Sequence, residues 1–220
     1  MILQIPGILT DDECAALCDN LNRQNIWQDG KATAAGAARA VKNNQQADPS
    51  NGFVTKALQK VEGSLLSNAV FNAAAQPDRF ARTLFSRYQA DMAYGAHVDA
   101  AYINDIRTDI SITVFLNAPE SYDGGELLIM AQGHDDEIKP TAGTAVVYPS
   151  TSLHEVRPVT KGERIAFVGW VRSRVRSIEH RSVLFDLDRA LIHLRTGTPD
   201  NTAISTLSNV RNNLLRIFGD

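Results

Sequence analysis

The sequence is sparing in the features that would assign it quickly, and each shortage excludes something. Cysteine is scarce: 2 in 220 residues. Cys14 and Cys18 stand four apart, on one helical face with Leu17 and Leu21, and read as small reduced hydrophobes. A disulfide framework is excluded. No apolar run approaches the roughly 20 residues of a spanning helix, so no membrane partner is expected. The opening residues, Met-Ile-Leu-Gln-Ile-Pro-Gly, lack the basic start and long apolar core of a signal peptide, which makes the cytoplasm the expected location. Excess charge of either sign is missing as well. A net charge of −3 gives no electrostatic reason to expect a nucleic acid.

What is present suits one soluble domain with appendages, long enough to bury a substantial core. Residues 2–5 read as a short strand, ended by Pro6-Gly7. Thr10 caps a helix from about Asp11 to Gln24, with acidic residues in its first turn. Residues 28–51 are rich in Gly, Ala, Asn and Gln and show no sustained period. They read as a long loop, a lid or binding loop, with a short strand near Ala40–Asn44. Helical spacing returns with Val54, Leu58, Val61, Leu65 and Leu66, then Val70 and Phe71.

From about Thr83 the pattern changes to strands: 84–89, 96–100, 109–116, 126–130, 137–140, 144–148, 154–159 and 164–173. In the third, Ile110, Ile112, Val114 and Leu116 share one face, and Ser111, Thr113 and Phe115 the other. Many short strands separated by Gly, Pro and Asp turns predict an all-β sandwich or barrel. Two helical stripes follow, Leu184, Leu187, Leu191, Leu194 and Leu207, Val210, Leu214, Ile217. Gly197-Thr-Pro199 between them breaks the helix, giving an antiparallel pair. These stripes must be buried on the barrel, on each other, or on a second copy in a homo-oligomer. The expected organisation is therefore 1–80 as helical and loop support, 81–176 as the core, and 177–220 as a helical extension.

The chemistry concentrates in Tyr94-Gly-Ala-His-Val-Asp99. In a strand, His97 and Asp99 project from the same face. A later imidazole, His154, would complete two His and one carboxylate, a set that covers one face of an octahedral metal and suits non-heme Fe(II). Arg164 opens the last strand run and offers a planar fork of donors for a carboxylate. His134, His180 and His193 lie away from this motif and are assigned no ligand role. Arg172, Arg174 and Arg176 alternate at the strand end and read as a charged sheet edge.

These residues, with Val41-Lys-Asn-Asn44, Arg87-Tyr88, Phe115-Leu-Asn117, Asp123-Gly-Gly-Glu-Leu127, Tyr148-Pro-Ser150, His154-Glu-Val156 and Gly162-Glu-Arg164, resemble the bacterial PKHD-type hydroxylases. These are prolyl-4-hydroxylase-like members of the Fe(II)/2-oxoglutarate dioxygenases, associated with iron uptake. The resemblance runs the length of the chain. It implies a mainly β fold with flanking helices, built on a double-stranded β-helix, or jelly roll. It also implies Fe(II) held by His97, Asp99 and His154, 2-oxoglutarate anchored by Arg164, O2 and L-ascorbate as co-reactants, and release of succinate and CO2. The intact Asp99 carboxylate implies hydroxylation, since halogenating relatives carry a small residue there. Tyr88 is a candidate contact to the co-substrate. Some relatives carry Tyr at the position of Phe115, and Thr113, on the same face, is the candidate to replace that hydroxyl.

The substrate, small-molecule or peptidyl, is not fixed by these residues. A nucleic-acid demethylase is disfavoured because the position six after Arg164 is Trp170 where those relatives carry a second Arg. A non-catalytic iron sensor or cupin-like metal protein is the alternative, against which Arg164 argues. Strand parity adds a geometric expectation. A three-residue loop, Thr160-Lys161-Gly162, would pair Pro158 with Arg164 and His154 with Val168, placing both functional residues on one face. That loop needs positive φ at Gly162.

Overall fold

The computed structural model describes the chain except for Gln24, Ala34, Ala35, Gln132, Gly133 and residues 197–200, so the Gly197-Thr-Pro199 break lies outside the described residues. β1 (Leu3–Ile5) leads into α1 (Asp11–Arg23). Thr10 Oγ1 accepts from the Glu13 amide at 3.2 Å, and Glu13 Oε2 accepts from the Thr10 amide at 2.9 Å. This reciprocal cap satisfies two donors that a helix start leaves free.

The stretch expected as one long loop is divided among short elements: β2 (Trp27–Asp29), a 3-10 turn (Gly30–Thr33), α2 (Gly36–Ala40), β3 (Lys42–Asn43) and β4 (Gln45–Ala47). Strands this short carry no readable period. They form because two different sheet edges supply their hydrogen-bond partners. α3 (Gly52–Ser67) and α4 (Ala69–Ala75) share one apolar stripe but are separate helices. Asn68 divides them: its amide bonds back to Leu65 O while its side chain accepts from the Phe71 amide.

The barrel strands are β5 (Pro77–Tyr88), β6 (Ala93–His97), β7 (Tyr102–Ile103), β8 (Ile106–Arg107), β9 (Ile110–Phe115), β10 (Asp123–Gly124), β11 (Leu127–Ala131), β12 (His134–Ile138), β13 (Ala145–Pro149), β14 (Leu153–Val156), β15 (Val159–Lys161) and β16 (Arg164–Ser173). Among the described residues, a seven-stranded sheet in the order β1-β13-β9-β16-β5-β4-β2 faces a five-stranded sheet in the order β12-β11-β14-β6-β3. All pairings are antiparallel. This is the jelly roll with flanking helices.

Helices α1, α3 and α4 cover the outer face of the larger sheet. There Leu17, Leu21, Val61, Leu65 and Phe71 pack with Phe85, Ile112, Val114, Ile165 and Phe167 in one buried cluster. At about 1.5–3 kcal/mol for each fully buried large apolar side chain, this layer is the main source of stability. Cys14 belongs to it; burial pushes its thiol up to about 11 and that of Cys18 to about 12, and neither is in a disulfide. The chain ends in α5 (Ile178–Thr196) and α6 (Asn201–Phe218), held together by Arg211 on the Asp188 carboxylate and by His180 stacked on Phe218 at 3.8 Å. The apolar stripe of α6 is split: Leu207 and Leu214 are half-buried, whereas Val210 and Ile217 stay exposed. No helix among the described residues is long and apolar enough to cross a membrane.

Three expectations are corrected. His97 is the last residue of β6, so Asp99 lies just beyond the strand rather than within it. The strand expected at 137–140 is β12 and begins earlier, at His134, which remains exposed. The third correction is topological. β14 and β16 do not form a hairpin: β14 pairs with β11 and β6 in the smaller sheet, and β16 with β5 and β9 in the larger. Between them, β15 pairs with β10 and carries the chain across. Arg164 is therefore opposite Tyr88, and His154 is opposite Ile129 and His97.

Gly162 nevertheless has φ +75°, and a Cβ there would stand 2.5 Å from Ser121 O. The glycine is required by the crossing and by close backbone approach. Gly162→Val is expected to lower stability by roughly 1–3 kcal/mol, the cost of one strained backbone position, read as an earlier urea midpoint at unchanged slope. A midpoint equal to that of the unsubstituted protein would show that the crossing relaxes freely.

Candidate metal centre and cavity

The two imidazoles meet through sheet register. His154 on β14 lies directly across from His97 on β6, and the rings stand 4.3 Å apart. Each ring is oriented by backbone two residues earlier. His97 Nδ1 is 2.8 Å from Gly95 O and His154 Nδ1 is 3.0 Å from Ser152 O. With Nδ1–H donating to a carbonyl, the lone pair is left on Nε2. The two Nε2 atoms stand 3.9 and 3.8 Å from the two oxygens of Asp99. One ligand atom from each residue lies within 4.8 Å of the others, and these three could hold a metal ion.

Asp99 is oriented in turn. Ser111 Oγ donates to Asp99 Oδ2 at 2.6 Å. That single proton is then committed, so the 2.9 Å contact between Ser111 and Ser150 has Ser150 donating. Ser111 and Ser150 were not singled out from sequence; the inward face of strand 109–116 was the available signal. His97 is pushed down to about 4, first by burial and then by the neighbouring His154. It is neutral at physiological pH, the form that binds metal. Tyr94 stacks on it with ring centroids 3.6 Å apart.

Arg164 is 1% exposed. Its guanidinium lies 4.6 Å from the Phe115 ring and 5.4 Å from the Tyr88 ring. Nε and Nη2 are buried with no hydrogen-bond partner among the described residues. Those two nitrogens form one edge of the guanidinium, the edge from which a carboxylate accepts two parallel bonds. A buried cation with that edge unmatched fits a carboxylate ligand. Gly125, at φ +70°, lets the backbone close on it: a Cβ there would stand 3.1 Å from Arg164 Cδ.

His97, Asp99, His154, Arg164, Tyr88 and Thr113 all line one cavity of about 240 Å³ between the sheets. A larger groove of about 720 Å³ runs beside α4, α5 and α6 and contains none of them. Strand pairing organises the cavity wall. The register pairs Arg164–Tyr88, Ala166–Ser86, Val168–Leu84 and Trp170–Arg82 succeed one another along β16 and β5. Of these eight residues only Ala166 is not part of the lining. The wall thus runs from a deep guanidinium through a mostly apolar middle to a polar mouth. Burial pushes the Tyr88 and Tyr148 phenols up, so both are neutral donors. His134, His180 and His193 take no part. Lys42, Arg82 and Trp170 do line the cavity; the sequence carried Lys42 only as part of the Val41-Lys-Asn-Asn44 motif in the expected 28–51 loop, and gave Arg82 no role.

Ser111→Ala is expected to weaken divalent-metal binding about 10–100-fold, the usual cost of removing a partner that orients a ligand, in calorimetric titration of the metal-free protein. Unchanged affinity would show that Asp99 needs no such support. For the metal-free protein the sign of the pH effect is also fixed. The unfolded chain takes up a proton near pH 6.5 that native His97 refuses down to about pH 4. Stability should fall as pH drops through that window, and the slope should be smaller in His97→Ala.

Residues 83–172 match the family model of the 2OG-Fe(II) oxygenase superfamily, and residues 179–220 match that of the PKHD-type hydroxylase C-terminal domain. A PKHD-type hydroxylase of Paraburkholderia phymatum is 42% identical, with all of both chains covered. A Pseudomonas putida prolyl-4-hydroxylase structure superposes with a TM-score of 0.56 at 26% identity, over 79% of this chain and 92% of that one. A prolyl hydroxylase from Trichoplax adhaerens shares the fold, with a TM-score of 0.60 at 14% identity over 77% and 83% of the two chains. With sheets, cavity and sequence in agreement, the chain belongs to the PKHD-type hydroxylases, oxygenases of the 2OG-Fe(II) superfamily.

Proposed function

We propose that this oxygenase hydroxylates its substrate at the expense of 2-oxoglutarate, releasing succinate and CO2. His97, Asp99 and His154 would hold Fe(II), and Arg164 would hold the distal carboxylate of 2-oxoglutarate. Bound iron supplies the chemistry that splits O2, one oxygen atom ending in succinate and the other in the substrate hydroxyl. The chain's own residues do the placing. The Gly95 and Ser152 carbonyls fix the imidazoles, and Ser111 fixes the carboxylate. Tyr88 and Thr113 border the co-substrate's path, and the apolar wall keeps bulk water from the reacting atoms.

The observation that carries this reading is the unmatched edge of buried Arg164. A triad alone would serve a metal sensor equally well, but a sensor has no use for a buried carboxylate receptor beside its metal. The associations with iron uptake and L-ascorbate come from the family resemblance alone.

The test is succinate formation from 2-oxoglutarate by iron-loaded protein, with and without L-ascorbate. His97→Ala, Asp99→Ala and His154→Ala should each lose most bound iron and turnover while staying folded; full iron stoichiometry in any of them would remove that residue from the ligand set. Arg164→Lys keeps the charge but loses the planar edge. Its 2-oxoglutarate affinity should fall by roughly 1.5–3 kcal/mol, the range for hydrogen bonds to charged groups. No succinate from the wild-type protein, or an unchanged saturation curve in Arg164→Lys, would overturn the co-substrate role.

A further inference from the structure

Two cations remain after the proposed co-substrate and metal are accounted for, and both face the same cavity. Lys42, on β3 of the smaller sheet, is 6% exposed. Its ammonium donates to the neutral Thr33 Oγ1 at 3.0 Å and sits 4.9 Å from the centre of the Tyr94 ring. Arg82, on β5 of the larger sheet, is half-buried beside Trp170 at the mouth. Neither forms an ion pair with an acidic side chain among the described residues. Burial pushes the Lys42 ammonium down to about 8, with Arg82 adding to that shift and the Asp99 and Asp29 carboxylates opposing it. Burying one cation without a counter-charge is costly, and aiming a second at the same space adds to that cost.

The charge count shows what is missing. A divalent metal against Asp99 leaves one positive charge, and Arg164 adds another. The two carboxylates of 2-oxoglutarate neutralise both. Nothing in the deep half is left to neutralise Lys42 and Arg82. Nor can 2-oxoglutarate itself reach Arg82 while held by Arg164. From Arg164 to Trp170, the register partner of Arg82, the wall runs six residues of extended strand, roughly 20 Å, too far for a five-carbon chain.

Resting on the function proposed above, we infer that the substrate carries a carboxylate, received at the cavity mouth by Lys42 and Arg82 from opposite walls. Its reacting carbon then lies inward of that carboxylate, toward the triad, along the wall formed by Leu84, Val168 and Trp170. Lys42 and Arg82 are positioning residues for the substrate. They take no part in holding metal or co-substrate.

The test uses the full chain loaded with Mn(II) and 2-oxoglutarate, which binds without turning over. Mono- and dicarboxylates, free amino acids among them, are titrated by calorimetry beside their carboxamides and beside phosphate monoesters. At least one carboxylate should bind with a carboxamide counterpart weaker by about tenfold or more, as expected for a lost charge-assisted contact. Lys42→Met and Arg82→Gln should each weaken that carboxylate by about tenfold or more, with 2-oxoglutarate affinity retained as the check on folding. Equal binding of carboxylate and carboxamide would overturn the inference. So would tighter binding of a phosphate monoester, or full carboxylate affinity in both variants. If 2-oxoglutarate binds and no carboxylate in the panel does, this inference alone fails. If the wild-type protein does not bind 2-oxoglutarate, the proposed function fails and this inference with it.

Discussion

Arg164 is a full positive charge at 1% exposure, and much of the surrounding structure can be understood as the means of keeping it there. Burial of an unpaired cation costs several kcal/mol even after the protein relaxes. Two aromatic faces, Phe115 and Tyr88, recover part of that through cation–π contact. Gly125 lies against its aliphatic stem, and Gly162, two residues earlier, turns the chain so that β16 can start with its first side chain pointing inward. These are positions where a side chain would collide. The glycines of Asp123-Gly-Gly-Glu and Gly162-Glu-Arg164 therefore serve the same residue, although nearly forty positions separate the two motifs.

The metal-ligand candidates were legible in the sequence because spacing and residue type sufficed. His97 and Asp99 are two apart, and a second imidazole stands shortly before an apolar run. The helix layer was legible too, through the periods of Leu17, Leu21, Val54, Leu58, Val61 and Leu65. Sheet membership was not. Both faces of β16 are buried for most of its length, so alternation could not say which face met the helices and which met the cavity. The expected hairpin put Arg164 on the correct side through the wrong pairing. Parity within a strand was sound, but the partner strand lay in the other sheet. Likewise, Tyr102 to Arg107 forms a two-residue hairpin whose central Asn104 and Asp105 both have positive φ. Asn and Asp are residues that accept that turn, and the signal was there to be read.

Residues 28–51 show a different limit. Their strands are two or three residues long and have no stability of their own. β3 docks on β6 of the smaller sheet and β4 on β5 of the larger. The segment thereby joins the two sheets along one edge of the cavity and delivers Lys42, Asn44 and Gln46 to its lining. No local pattern could announce this, because β3 and β4 dock on strands far along the chain, and β2 in turn pairs with β4.

The cavity is also asymmetric along its length. Arg164 is sealed at one end, whereas Val98, beside the triad and part of the same lining, is 49% exposed. With 2-oxoglutarate seated at Arg164 as proposed, whatever occupies the mouth stands between it and solvent. Traffic is then sequential: co-substrate enters first and substrate second. Hydroxylated product must leave before succinate can. Substrate that arrives early would act as a stopper, and only an excess of 2-oxoglutarate, by capturing the molecules whose mouths are still clear, would keep the enzyme turning over.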